Sequence, residues 1–585
     1  MTPVSERILV LDGSATYGNE IVGGKAASIA RMRALGLPVP PAFVLPIEEC
    51  RRFHAGDGRL DEAVWEAVLD GVAGIERDTG RRFGDPETPL LVSVRSGAAV
   101  SMPGMMDTIL NLGMTNPVEE GLARLSGDAA FARETHVRFV HEFGHTVLGA
   151  DLDPPGDDAT ADEVRAEVRA DTGADVPAEP LDQLRAAVLA VFGSWSSRRA
   201  IAYRRHWKIP EDGGTAVVVQ AMVFGNLGED SGTGVLFTRD PLNGSPEPFG
   251  DWLPGGQGED VVAGTHDPLP LAAFHAQLSD AHDELIRAGR LLEREHGDIQ
   301  DVEFTVERGR LYLLQARAAK RAPLSAVRTA VDLADEGILD RETALGRVTP
   351  EQFETVLSPL LPEEVTAAAD VVARGTPACP GVASGRVVAN SDDAEVADDD
   401  VVLARPTTSP EDVSGMIAAR AVVTERGGAT SHAAVVTRAL GRPSVVGVGE
   451  GATGGWAGRE VTVDGSKGVV YDGRLETAGV PIADIPGLEH LLAWARELSP
   501  AEVLETSPGD VLDLDAAGFT VAPDSAPDTD ALADRMRGAP AVQGLVLGTA
   551  EGAAAVVRSG VPTVVALPGQ HAATLLLRLV QARRP

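Results

Sequence analysis

Cysteine is nearly absent from this chain: Cys50 and Cys379 are the two among 585 residues, far apart and in no metal-ligand spacing. That excludes a disulfide framework and suits a reducing compartment. No apolar run is long enough to span a membrane, and Glu6, Arg7 and Asp12 interrupt the first segment, so neither a signal peptide nor a span is expected and the protein reads as cytoplasmic. Positive charge is scarce too, with 51 Lys and Arg against 87 Asp and Glu and a net charge of −36. Such a field repels nucleic acid and anionic membrane, so neither is expected as a partner. An anionic substrate such as ATP would then need a local basic pocket and metal ions. Only four basic residues are lysines: Lys25, Lys208, Lys320 and Lys467. A lysine kept in a chain that otherwise uses arginine singles out Lys25 as a compact ammonium, although chance survival explains it as well.

What is present is ordinary for folded protein. Hydrophobic residues make up 44% of the chain. Its length predicts about two to four domains. The central stretch is residues 425–436, Glu-Arg-Gly-Gly-Ala-Thr-Ser-His-Ala-Ala-Val-Val. Two glycines permit a tight turn, Thr430 or Ser431 can cap a helix, and His432 then lies in the first helical turn, where backbone N–H groups favour an anion. A histidine there can carry a phosphate, with Arg426 as a further stabilising charge. A capped helix whose histidine merely packs fits the local pattern equally.

Residues 8–12 read as a short strand and residues 21–29 as a Gly-Gly-Lys turn entering a helix that ends near Gly36, a turn that brings Lys25 and backbone N–H groups to one point. Residues 89–98 read as a strand with Arg95 at its end, beside a Gly- and Met-rich loop over 101–108. Helices dominate from 129 to about 205, with solvated acidic runs between them. Residues 217–224 and 232–241 return to strand patterning, which suits a purine-binding edge or simple core packing. Residues 300–306 and 311–317 form two strands in which period two puts Asp301 and Glu303 on one face and Gln315 and Arg317 on one face. A three-residue loop, 308–310, with Gly309 left-handed, would pair 307 with 311, 303 with 315 and 301 with 317; a two-residue loop would split the four polar side chains. Two carboxylates so placed can hold Mg²⁺ on ATP phosphates, with Arg317 neutralising charge. An exposed hairpin with cross-strand charge pairs is the plainer reading.

These strings closely resemble the pyruvate phosphate dikinase family of PEP-utilising enzymes: the Gly-Gly-Ala-Thr-Ser-His run at His432, Gly23-Gly24-Lys25, Ser-Val-Arg-Ser-Gly-Ala at 93–98 with Pro-Gly-Met-Met-Asp-Thr at 103–108, the blocks at 232–241 and 256–264, and the Asp301, Glu303, Gln315, Arg317 hairpin. The likeness runs in order over roughly residues 20–480. It implies an α/β (α+β) multidomain fold: an ATP-grasp nucleotide-binding domain over 1–320 with a helical insert at about 129–205, a helical linker over 321–374, a swivelling phosphohistidine β/β/α domain over 375–477 and a small C-terminal α/β unit over 478–585. It further implies that Lys25, Arg95, Gly104, Gln220, Val223, Thr233, Gln315 and Arg317 bind the nucleotide, with Gln220 and Val223 near adenine and Thr233 near the phosphates. Glu259 and Asp260 would lie at the rim, Asp301 and Glu303 would hold Mg²⁺, and His432, Arg317 and Arg95 would be catalytic. By the same likeness the β-phosphoryl of ATP passes to His432 and orthophosphate accepts the γ-phosphoryl, giving AMP and pyrophosphate, and Thr430 matches a regulatory phosphorylation site. Residues 408–412 read instead as a helix cap.

The family continues into a (β/α)₈ barrel with a catalytic cysteine. Here about 105 residues follow Gly479, against the roughly 250 a barrel needs. The expected acceptor is therefore pyruvate on a separate barrel subunit or another small molecule, such as an antibiotic; a non-catalytic ATP-binding regulatory module is the third reading.

Overall fold

The computed structural model describes residues 7–583 apart from 57, 101–107, 157, 207–208, 259–267, 358–359, 480–481, 508, 518, 520–525 and 568–569. Gly104, Glu259 and Asp260 lie outside the described residues. The chain is a mixed α/β protein with several sheets.

Leu9–Val10 (β1), Ala42–Leu45 (β2), Val92–Ala98 (β3), Thr108–Leu112 (β4) and Thr215–Ala221 (β5) form an antiparallel sheet in the order β1-β2-β5-β3-β4. Every residue of β5 is buried. The reason is that both faces are covered: Val217 and Val219 enter a core shared with the helices between 116 and 206, while Ala216 and Val218 face helix α1, Asn19–Ala34, and the second sheet. An unbroken valine run is what such a doubly covered strand requires.

Helix α1 begins earlier than the glycine turn suggested, at Asn19, and Gly23 kinks it with φ 75° and ψ 158°. A Cβ on Gly23 would lie 2.0 Å from the Gly97 carbonyl oxygen. Glycine thus lets α1 touch the end of β3 and delivers Lys25 there.

The second sheet holds Gly232–Phe237 (β6), Phe249–Pro254 (β7), Leu269–Pro270 (β8), Gln300–Glu307 (β9) and Arg310–Ala318 (β10), in the order β8-β7-β6-β9-β10. Helix α2, Ser279–His296, packs on it and shares the core of α1.

The β9–β10 hairpin corrects the expected loop. Glu307 pairs with Arg310, so the turn has two residues, Arg308 and Gly309, both with positive φ (49° and 73°), as a twist-matched hairpin turn demands. That turn alone would separate the polar set. A bulge restores it: Phe304 pairs with Leu313 but Glu303 with Gln315, so Leu314 is the extra residue and Asp301 still meets Arg317.

Beyond these sheets, Val371–Arg374, Thr376–Cys379, Val382–Val388, Val401–Arg405, Ala421–Thr424, Ser444–Val446, Glu460–Asp464 and Val469–Asp472 make an eight-stranded mixed sheet. Helix α3, His432–Leu440, follows the strand Ala421–Thr424. Helices Pro323–Asp335, Arg341–Gly346 and Pro350–Val356 share one core with Leu488–Leu498 and Ala572–Gln581. Four short parallel strands, Glu502–Leu504, Leu512–Asp513, Val542–Gln543 and Thr563–Val565, form the last sheet.

Candidate functional site

A cavity of about 960 Å³ opens between the first two sheets and reaches α3. Its wall carries Lys25 from α1, Arg95 from β3, Asp301 and Glu303 from β9, Gln315 and Arg317 from β10, and His432. Residues about 400 positions apart in sequence thus meet one space.

The charges interlock. Arg317 Nε donates to Asp301 Oδ2 at 2.9 Å and its Nη2 stands 4.0 Å from Glu303, whose other oxygen accepts from Arg95 Nη2 at 3.3 Å. Burial pushes the Asp301 carboxyl up while Arg317 pulls it down, and the net direction is upward. For Glu303, burial is outweighed by Arg95, Arg317 and Lys25, which hold it below the usual carboxylate range. Asp301 raises the Arg317 pKa further still. Burial, reinforced by Arg95 and Arg317, pushes the Lys25 ammonium well below its ordinary range. Asp301 Oδ1 is buried without a hydrogen-bond partner among the described residues.

The remaining predicted residues divide. Gln220 and Val223 line the cavity, with Gln220 Nε2 donating to the Pro40 carbonyl at 3.3 Å. Thr233 is not among the described lining residues: its hydroxyl donates to the Phe304 carbonyl at 2.9 Å and lies 3.2 Å from Thr305 Oγ1, and Thr305 does line the cavity.

His432 opens α3, and Ser431 is the cap, its Oγ accepting from Ala434 N. His432 Nδ1 is 3.3 Å from Thr408 Oγ1, while Nε2 is buried without a hydrogen-bond partner among the described residues. Burial lowers its pKa from the ordinary 6.5, so the ring is neutral near pH 7. The Arg426 side chain is paired with exposed Glu450.

Three residues escaped sequence reasoning. Of the expected cap at 408–412, Ser409 does form a cap with Asp412, but Thr408 itself turns to His432. Asp251 of β7 accepts from Thr430 Oγ1 at 2.5 Å. Arg438 of α3 donates to the Lys320, Ala378 and Ala429 carbonyls and lies 5.6 Å from the Phe237 ring centre. Together Thr430 and Arg438 seat α3 against the second sheet. No local signal marks them, because their partners are distant in sequence.

Two facing sheets enclose a clamp of cations and carboxylates, and helix α3 presents a histidine to the same cavity. Residues 58–275 match the family described as pyruvate phosphate dikinase, AMP/ATP-binding domain, and residues 397–468 match PEP-utilising enzyme, mobile domain. The chain is 38% identical to pyruvate, phosphate dikinase of Clostridium symbiosum over 533 residues, covering 84% of this chain and 60% of that protein. It is 43% identical to pyruvate, phosphate dikinase 2 of Zea mays over 475 residues, covering 76% and 53%. With the Rhizobium meliloti (strain 1021) pyruvate, phosphate dikinase it shares 40% over 514 residues, covering 79% and 57%. The chain belongs to the pyruvate phosphate dikinase family. It spans between 53% and 60% of the length of these three relatives. No helix among the described residues is long and apolar enough to cross a membrane.

Proposed function

We propose that this chain performs the ATP half-reaction of a pyruvate phosphate dikinase-like phosphotransferase, with residues 1–320 as the nucleotide-binding unit and 375–477 as the swivelling carrier. One observation carries the reading: neutral His432, its Nε2 unpartnered, lies on the same cavity as Lys25, Arg95, Arg317, Asp301 and Glu303.

The Nε2 lone pair forms a bond to the β-phosphorus as the bond to the α-phosphate's bridging oxygen breaks, and AMP leaves. An oxygen of orthophosphate then takes the γ-phosphoryl, releasing pyrophosphate and leaving one phosphoryl on His432. Four phosphorus atoms enter and four are accounted for. Lys25, Arg95 and Arg317 hold the phosphate oxygens and neutralise charge in transit. Thr408 orients the ring through Nδ1, which keeps Nε2 as the attacking atom. Gln220 and Val223 face the adenine, and Gln315 contacts the phosphates. Mg²⁺ suits the donor set, because Asp301 Oδ1 lacks a partner and Glu303 shares its face; the two would hold the ion and let it offset phosphate charge. Thr430 is the regulatory phosphorylation site in this reading.

The acceptor to test first is pyruvate, after the name of the relatives, with a separate pyruvate-binding subunit supplied. The donor half is tested by incubating the purified chain with Mg²⁺, orthophosphate and ATP labelled at the β or the γ position. Acid-labile β-label on the wild type, none on His432→Ala, and release of AMP are expected. ATP binding without any label would overturn the proposal.

A further inference from the structure

Helix α1 gives the cavity more than Lys25. Ser28 and Arg31 follow at three-residue steps and also line it, so the three share one stripe about 9 Å long. The wall has an order. Gln220 pairs with Ser93, Arg95 comes next along β3, Lys25 stands beside Gly97, and Ser28 is fixed to Ala316, donating to its carbonyl at 2.6 Å and accepting from its N–H at 3.0 Å. Arg31 lies one turn further, beside His296 at the end of α2. Arg31 and His296 therefore mark the end of the cavity away from Gln220.

Their bonding fixes their states. His296 Nδ1 lies 2.8 Å from the Leu292 carbonyl and must donate to it, so Nε2 is the acceptor, at 2.8 Å from Arg31 Nη1. His296 is thus neutral, and burial together with the Arg31 charge lowers its pKa. Arg95 and Arg317 each have a carboxylate partner. Arg31 has none within ion-pair distance among the described residues. A guanidinium facing a cavity with no counter-charge, in a chain of net charge −36, is matched to an anion that arrives from outside.

We infer that Arg31, oriented by His296, forms a second oxyanion subsite at the far end of the cavity, separate from the Arg95–Arg317 clamp, which takes a tetrahedral phosphate dianion. That dianion is either the terminal phosphate of the nucleotide or free orthophosphate. The inference rests on the reading of the cavity as a nucleotide site.

The test is calorimetric binding of AMP, of ATP, and of orthophosphate in the presence of AMP to the full chain, as wild type, Arg31→Gln and Arg290→Gln. Arg290 is exposed on α2 and controls for the loss of one positive charge. Arg31→Gln should weaken ATP or orthophosphate about tenfold or more, the scale of one charge-assisted hydrogen bond, with AMP within twofold and Arg290→Gln silent. A loss confined to ATP assigns the subsite to the terminal phosphate; a loss confined to orthophosphate assigns it to the free ion. Unchanged binding of both, or equal weakening of all three ligands, overturns the subsite while leaving the nucleotide site standing. A wild type that binds neither nucleotide overturns both readings.

Discussion

Burial sets the reactivity of His432. Its imidazole is desolvated and its pKa lies below the ordinary 6.5, with only Asp412 pulling it up. On the proposed function the neutral ring is the nucleophile, so lowering the pKa enlarges the reactive fraction at neutral pH and moves the acid limb of the rate profile downward. Self-phosphorylation should be flat above about pH 7 and fall with a midpoint below 6.5, read as initial labelling rate against pH. An inflection above 6.5 would contradict a desolvated histidine. Asp301 offers a second check at this scale. Asp301→Asn keeps the shape but removes the charge paired with Arg317 and the free oxygen assigned to Mg²⁺. Labelling should drop about 100-fold or more, the cost of losing one preorganised electrostatic group. The Mg²⁺ concentration for half-maximal rate should rise, and AMP affinity should stay within twofold.

At the scale of elements, two glycines with similar φ make opposite demands. Gly309 has φ 73° in the β9–β10 turn with open space where a Cβ would go, whereas Gly23 has φ 75° with a carbonyl oxygen 2.0 Å from that point. Gly309→Ala should therefore cost about 1 kcal/mol of local stability and leave ATP binding intact. Gly23→Ala must displace α1 from β3 and carry Lys25 away, weakening ATP binding about tenfold or more by calorimetry. The same two elements show what a sequence discloses. Alternation in 300–306 and 311–317 revealed two strands and a common polar face, because period two is written in residue types. The bulge at Leu314 was hidden: in the run Leu311-Tyr312-Leu313-Leu314 either leucine can be the extra residue, and only the two-residue turn decides. Lys25, Arg95 and His432 were legible because each sits beside glycines or a cap. Asp251 was not, because its partner Thr430 is 179 residues away and nothing in Gly250-Asp251-Trp252 announces a contact. Thr233 is placed near the phosphates by resemblance, and in the structure its hydroxyl donates to the β9 backbone.

At the scale of the whole molecule, the proposed transfer from ATP to His432 needs α3 seated against the second sheet. Across this seam Thr430 donates to Asp251, and Arg438 reaches the Lys320 carbonyl and the Phe237 ring. Burial raises the Asp251 pKa, and the Thr430 hydrogen bond opposes that shift. A second negative group placed here meets Asp251 in a poorly solvated site, where like charges repel strongly. Thr430 is itself buried, so on the proposed function phosphorylation at this position would require the carrier domain to lift first and would then hinder its return. Thr430→Glu imitates the charge. It should slow self-phosphorylation about 100-fold while AMP and ATP affinities remain within twofold, since the nucleotide clamp lies on other residues. Adding Asp251→Asn to Thr430→Glu removes the opposing carboxylate and should recover about tenfold of the labelling rate. Recovery in the double variant assigns the loss to charge at the seam, because a defect confined to the cap of α3 would be indifferent to what stands at position 251.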